Sequence, residues 1–233
     1  MEQNKTGKYL KYAIGEILLV VIGILIALQI NNWNEQRKTK NSEISYIQSI
    51  KNDLKGDHET INFIIGDTKK RKEAYEVMIQ QLRSFDTITD SRQLFTLMHD
   101  NVGFTELKVQ DHTIETLKNS GSIEIVSSKK VRAEIQTYYD TVEIIYGQQN
   151  SMNSYMNLNN MGKFFNYLEC EKGIQNNIKV PFDDRAKRNL PDAYAYLDRW
   201  VTNLTGYVTM LTRLNNRNDQ LFDIMDSTYT QAK

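Results

Sequence analysis

Residues 13–30 read AIGEILLVVIGILIALQI, eighteen positions with one charged side chain, Glu16. As a helix rising about 1.5 Å per residue the run measures about 27 Å, and it reaches the usual membrane-spanning minimum once Tyr12 and Leu10 extend it. The run predicts a transmembrane helix over 12–31, preceded by a short leader over 1–11 and followed by one polar domain over 32–233. A cleaved signal peptide would have a shorter apolar centre and a small-x-small cleavage site, which this run lacks. Trp33 and the asparagines at 31, 32 and 34 suit the interfacial layer beyond the hydrocarbon.

Flanking charge sets the expected orientation. Lys5, Lys8 and Lys11 on one side face Arg37, Lys38 and Lys40 on the other. Lys8 and Lys11 stand closer to the run, which favours a cytoplasmic N-terminus and a periplasmic C-terminal domain in a bacterial inner membrane. The lone Cys170 can form no internal disulfide. Basic and acidic side chains balance at 29 each, so the chain as a whole carries no electrostatic footprint for nucleic acid. Lys69-Lys70-Arg71-Lys72 reads as a solvated helix face, since Glu73 and Glu76 follow it at once.

Two prolines and eleven glycines leave long helices nearly uninterrupted, so the expected class is all-α. Ile47, Ile50, Leu54, Ile61, Ile64, Tyr75, Met78 and Leu82 step by three and four, giving a helix over about 43–84 that can continue from the anchor. A second stripe, Val131 to Met156, starts after Ser127 and Ser128 and predicts a helix to about Cys170. A third starts near Pro191 and runs through Leu197, Leu204, Leu211 and Met225. Asp90-x-x-Gln93 resembles a capping box for a short helix, and another short helix from Asp111 stops at Gly121. The expected architecture is an elongated antiparallel bundle of three long helices with two short cap helices at its far end, the 171–189 connection lying near the membrane.

The opening stretch GKYLKYAIGEILLVVIGILIALQINNWNEQRK (7–38) closely resembles the start of a family of Bacteroidota envelope proteins known only as a domain of unknown function. HTIETLKNSGSIEIVSSKKVRAEIQTYY (112–139) resembles that family's internal segment, in which a short helix ends at Ser-Gly and a longer one leads into paired tyrosines. The likeness covers about half the chain. It implies a retained anchor and an exported helical domain, and it brings no site residues.

Gly23, Ala27 and Asn34 fall within about 20° of the direction of Glu16 on a helix, so one narrow face holds small and polar groups. Gly23-x-x-x-Ala27 is the spacing that lets membrane helices approach closely, which favours contact with a second copy or another membrane protein. Two alternatives stay open: Glu16 reaches the headgroups or a nearby lysine, or a ring of copies lines an ion path with it. Continuing the bundle stripes lands on Asp57, Thr68, Arg71, Gln149, Asn215 and Asn218. Such a polar core layer fixes register or oligomeric state; a wet ligand pocket and an error of helix phase are the alternatives.

Catalytic patterns are missing. His58, His99 and His112 lack a second histidine at helical spacing and a glutamate three positions before, and no G-x-S-x-G, P-loop or G-x-G-x-x-G occurs. No catalytic residue, metal ligand or cofactor is expected. Most of the tyrosines, among them Tyr138, Tyr139, Tyr146, Tyr155, Tyr194, Tyr196 and Tyr207, read as core or half-buried bundle residues. The expectation is a non-enzymatic, single-pass, oligomeric scaffold or accessory subunit of an envelope assembly. The alternatives are a small-molecule-sensing bundle that needs a separate transducer and a small channel lined by Glu16.

Overall fold

A computed structural model describes residues 5–156 and 164–230. Seven helices occur among them and no strand. Helix α1, Lys5–Leu82, is 78 residues long, which at about 1.5 Å per residue is about 117 Å. No proline interrupts it. Helices α2 (Arg92–Asn101) and α3 (His112–Asn119) precede α4 (Lys129–Tyr155), and α5 (Tyr167–Asn176) and α6 (Asp184–Arg188) lead to α7 (Leu190–Thr230).

The predicted stripes are the core. Ile50, Leu54, Ile61, Met78 and Leu82 of α1 are buried against Val131, Ile135, Val142 and Ile145 of α4 and Leu197, Leu204, Leu211 and Leu214 of α7. Helices α1 and α7 run antiparallel. Lys51 pairs with Asp226 near the base, by the apolar run, and Tyr75 meets Trp200 edge-on at 6.4 Å near the far end. Trp200 is fully buried, with Phe104 and Tyr155 also against it.

The order of the connections departs from expectation. The 171–189 connection lies at the far end, where Val180 N–H donates to Asp90 and the Gly173 carbonyl accepts from Arg92. Helix α3 and Ser127 lie towards the base, with Ser127 bound to Glu43. Between α2 and α3 the chain runs without helix over 102–111, from the level of Arg71, which meets Val102, to that of Asp57, which meets Gln110, a descent of about 21 Å along α1. That strap and α3 return the chain to the base, so α4 rises parallel to α1 and α7 is the one long helix that descends.

Two further expectations need correction. The second long helix ends at Tyr155 rather than near Cys170, and residues 157–163 lie outside the described ones. Asp90-x-x-Gln93 makes no capping box: Asp90 binds the Arg92 guanidinium and the Val180 N–H. The expected stop at Gly121 is present. Gly121 has φ +65°, Ser122 N–H reaches the Leu117 carbonyl and Gly121 N–H the Lys118 carbonyl, a Schellman closure. Ser128 caps α4 by accepting from Val131 N–H.

Candidate functional site

Two places hold the residues singled out from sequence. The first is the apolar part of α1, whose large side chains from Ile14 to Ile30 are all exposed and touch no other element. This is a helix long and apolar enough to cross a membrane, the one such helix among the described residues. Helical geometry puts Glu16, Gly23, Ala27 and Asn34 on one side of it, and no atom lies within 4 Å of where a Gly23 Cβ would stand. Just beyond, the Arg37 guanidinium lies over the Trp33 ring at 5.4 Å and Lys38 pairs with Glu35 at 2.9 Å. Residues 31–42 form a largely exposed stalk, which the bundle meets where Lys40 lies over the Tyr229 ring at 5.2 Å; the first fully buried side chains are Glu43 and Ile47.

The second place is the polar break in the bundle core, and its meaning comes from the strap. An extended segment inside a helical bundle carries peptide groups with no helical partner, and each must find one. Gln149 Oε1 accepts from Leu107 N–H at 2.8 Å and its Nε2 donates to the Leu107 carbonyl at 3.3 Å. The Tyr207 hydroxyl also accepts from Leu107 N–H, at 3.1 Å, while the Tyr146 hydroxyl takes Val109 N–H at 3.2 Å. Asp57 Oδ1 takes Gln110 N–H at 2.7 Å, and Asp57 Oδ2 accepts from the Tyr138 hydroxyl at 2.8 Å. Asn218 Nδ2 donates to the Leu54 carbonyl at 2.9 Å and approaches the Tyr138 oxygen at 3.4 Å.

The six expected core-layer residues therefore separate. Asp57 and Asn218 share one cluster through Tyr138, and Gln149 serves another through Tyr207. Thr68 is fully buried with no hydrogen-bond partner on its hydroxyl. Arg71 and Asn215 are only partly buried: Arg71 binds Asp67 at 2.8 Å and the Val102 carbonyl at 3.2 Å, and Asn215 donates to Asn62 at 3.1 Å. Three of the six, Asp57, Arg71 and Gln149, are side-chain partners for the strap. The tyrosine hydroxyls and Gln110 escaped the sequence reading. The alternation Leu107, Lys108, Val109, Gln110, with the first and third buried, is the signal that points to them.

Charge in this core is unusual. Burial pushes the Asp57 carboxyl up to about 6, against the opposing hydrogen bonds from Gln110 and Tyr138. Burial and the Asp57 charge raise the Tyr138 phenol, so it stays a donor. At the base, burial also opposes ionisation of Glu43, yet hydrogen bonds from Ser127, Tyr229 and Lys40 overcome it and hold the carboxyl at about 2. Glu43 Oε1 accepts from Ser127 N–H at 2.7 Å, Ser127 Oγ at 2.6 Å and Tyr229 Oη at 2.7 Å. One carboxylate thus joins α1, the start of α4 and the end of α7.

The far end encloses a cavity of about 440 Å³ between the α5 face and the 178–186 segment. Phe164, Phe165, Phe182 and Val180 form much of its wall, with Ser91 and the buried Cys170 thiol 3.6 Å apart beside it. Burial raises the Cys170 thiol, which keeps it protonated and poorly nucleophilic.

These features define a class of protein: a helical bundle carried on one long helix whose 13–30 segment is apolar and exposed. The chain belongs to a family of unknown function (DUF6090), which matches residues 16–183, from the apolar run through the stalk, the strap and α4 to the far-end connection. Among curated proteins and solved structures none matches it.

Proposed function

We propose that this protein is a single-pass inner-membrane scaffold that holds its bundle at a fixed height and heading in the periplasm, with the leader in the cytoplasm. The observation that carries this reading is the unbroken α1, which runs from the apolar segment through the stalk to the top of the bundle. A helix without proline or a bulge transmits position along its length. Its role is geometric and non-enzymatic, and the face of Glu16, Gly23, Ala27 and Asn34 joins it to a second copy or to another membrane protein of an envelope assembly.

The test is purification from membranes in a mild detergent, followed by mass measurement. The scaffold reading expects a dimer, a higher oligomer or a stoichiometric complex, and Gly23→Leu should convert it to a lone monomer. A wild-type protein that is already a lone monomer would overturn the reading. Orientation is tested with Ser227→Cys, an exposed site, because the one native thiol is buried. Labelling by an impermeant maleimide in intact spheroplasts is the expected result.

A second reading, a ligand-responsive bundle acting through a separate transducer, is favoured by the far-end cavity, whose size lies in the range of small-molecule sites. The polar layer no longer supports it, since the strap occupies that space. A thermal-shift screen of the full chain against metabolites separates the two readings, and no stabilising compound would count against the second.

A further inference from the structure

The strap is held by side-chain hydrogen bonds as well as by the burial of Leu107 and Val109, and the partner of its Gln110 N–H is one titratable group. Asp57 is buried, and its two oxygens meet two neutral donors, Gln110 N–H and Tyr138 O–H. Among the described residues no Lys, Arg or His pairs with it. Lys51 and Lys55 of the same stretch of α1 lie over Phe222 on α7, and His58 pairs with Asp219 of α7 at 2.9 Å. The other charges facing the site are Asp53 on α1, Asp111 at the end of the strap, and Glu115 and Lys118 on α3, Lys118 lying over the Tyr139 ring. Tyr138 and Tyr139 come from α4, and α7 adds the neutral Asn218. The negative charge of Asp57 is therefore kept from water, next to other carboxylates and without a counter-ion. Gly56 stands beside it, with the Gln110 side-chain amide lying against its Cα.

We propose that Asp57 is a proton-controlled grip on the 102–111 strap: the strap is seated firmly when the carboxyl is neutral and opens more readily when it is ionised. The neutral carboxyl still accepts Gln110 N–H through its carbonyl oxygen and buries no charge. Ionisation in the seated state is disfavoured by burial, whereas opening exposes the group to water and restores an ordinary carboxyl affinity for protons. Seating is thus linked to proton uptake, and the stability it confers is full in acid and declines as pH rises through the folded-state value. The strap joins α2 at the far end to α3 towards the base, so its opening uncouples these two short helices while the long helices stay packed. The grip acts wherever the bundle resides and does not depend on the membrane reading.

Amide hydrogen exchange on the full-length protein in lipid nanodiscs tests this, at pH 5.0 and 7.5, with times scaled for intrinsic exchange. Protection of the Leu107, Val109 and Gln110 amides should fall roughly tenfold between these pH values, given a carboxyl at about 6 seated and at 3.8 open. Amides of α7 over 204–214 serve as the internal reference. Asp57→Asn, which keeps an acceptor for Gln110, should flatten the dependence at high protection. Tyr138→Phe removes a donor to the ionised form and should move the midpoint to higher pH, a result that stands even if the first variant fails to fold. Wild-type protection that is flat or rises with pH would overturn the proposal, as would an unchanged slope in Asp57→Asn or an unmoved midpoint in Tyr138→Phe.

Discussion

Gln149 on α4 holds Leu107 of the strap by both backbone groups, accepting its N–H at 2.8 Å and donating to its carbonyl at 3.3 Å. A side-chain amide here does the work of a neighbouring strand. Gln149→Leu would leave the buried Leu107 carbonyl unpaired and its N–H with Tyr207 alone, a loss of about 1–3 kcal/mol. The urea unfolding midpoint checks this. Tyr207→Phe should cost a similar amount, and the double variant should cost less than the sum, because both act on one peptide group.

The Glu43 junction predicts a coupled pair at the base. Tyr229→Phe removes one hydrogen bond to a charged acceptor and should destabilise by about 1.5–3 kcal/mol. In a Glu43→Gln background the same change should have a clearly smaller effect. Chemical unfolding of all four proteins measures the coupling, and additive effects would refute it.

The pH profile of stability follows from groups that pull in opposite directions. Asp57 sits at about 6 folded against an ordinary 3.8, so its contribution is full in acid and is lost as pH rises through 6. Glu43 and Asp90, the latter bound by Arg92, are held at about 2, so theirs is present above the ordinary carboxyl range and lost as pH falls towards 2. The expected curve has its maximum near pH 4.5, where the two losses balance: that of Asp57 begins above 3.8 and that of Glu43 begins below 4.5. Unfolding midpoints between pH 3 and 8 check it, and a maximum above pH 7 would contradict it.

A proline in the stalk should separate the two halves of α1 without unfolding the bundle. Gln36 is exposed and precedes the first core residue, so Gln36→Pro breaks helical hydrogen bonds only there, at about 3 kcal/mol. Spin labels at Leu19→Cys and Gln48→Cys should lie about 44 Å apart along the helix in an otherwise unchanged chain. The distance distribution should be narrow there and broad in the proline variant, while the thermal midpoint of the bundle stays close to wild type.

The long helices were legible because their apolar positions repeat with the helical period, and the stripe positions Ile50, Leu54, Val142 and Leu204 are all buried. Asp57, Gln149 and Asn218 were legible as buried polar residues by continuing the same count. Their purpose was not, because the strap they serve has a two-residue period over only four positions, too short to stand out. The direction of α4 was hidden for the same reason: the strap over 102–111, together with α3, returns the chain to the base. Asp90 misled in part: it does accept the Arg92 N–H at the start of α2, at 3.2 Å, but the N-cap position falls to Ser91, and the Asp90 carboxylate is shared with the Arg92 guanidinium and the Val180 N–H.

The stalk between Asn31 and Ser42 is unbroken helix and has no joint. A turn of the greasy segment about its own axis is therefore a turn of the whole upper body by the same angle, as with a key and its bit. Two copies meeting through one side of that segment would set the compass bearing of each far-end cavity, so a contact at Gly23 and Ala27 would dictate which way a surface some tens of ångströms away looks out.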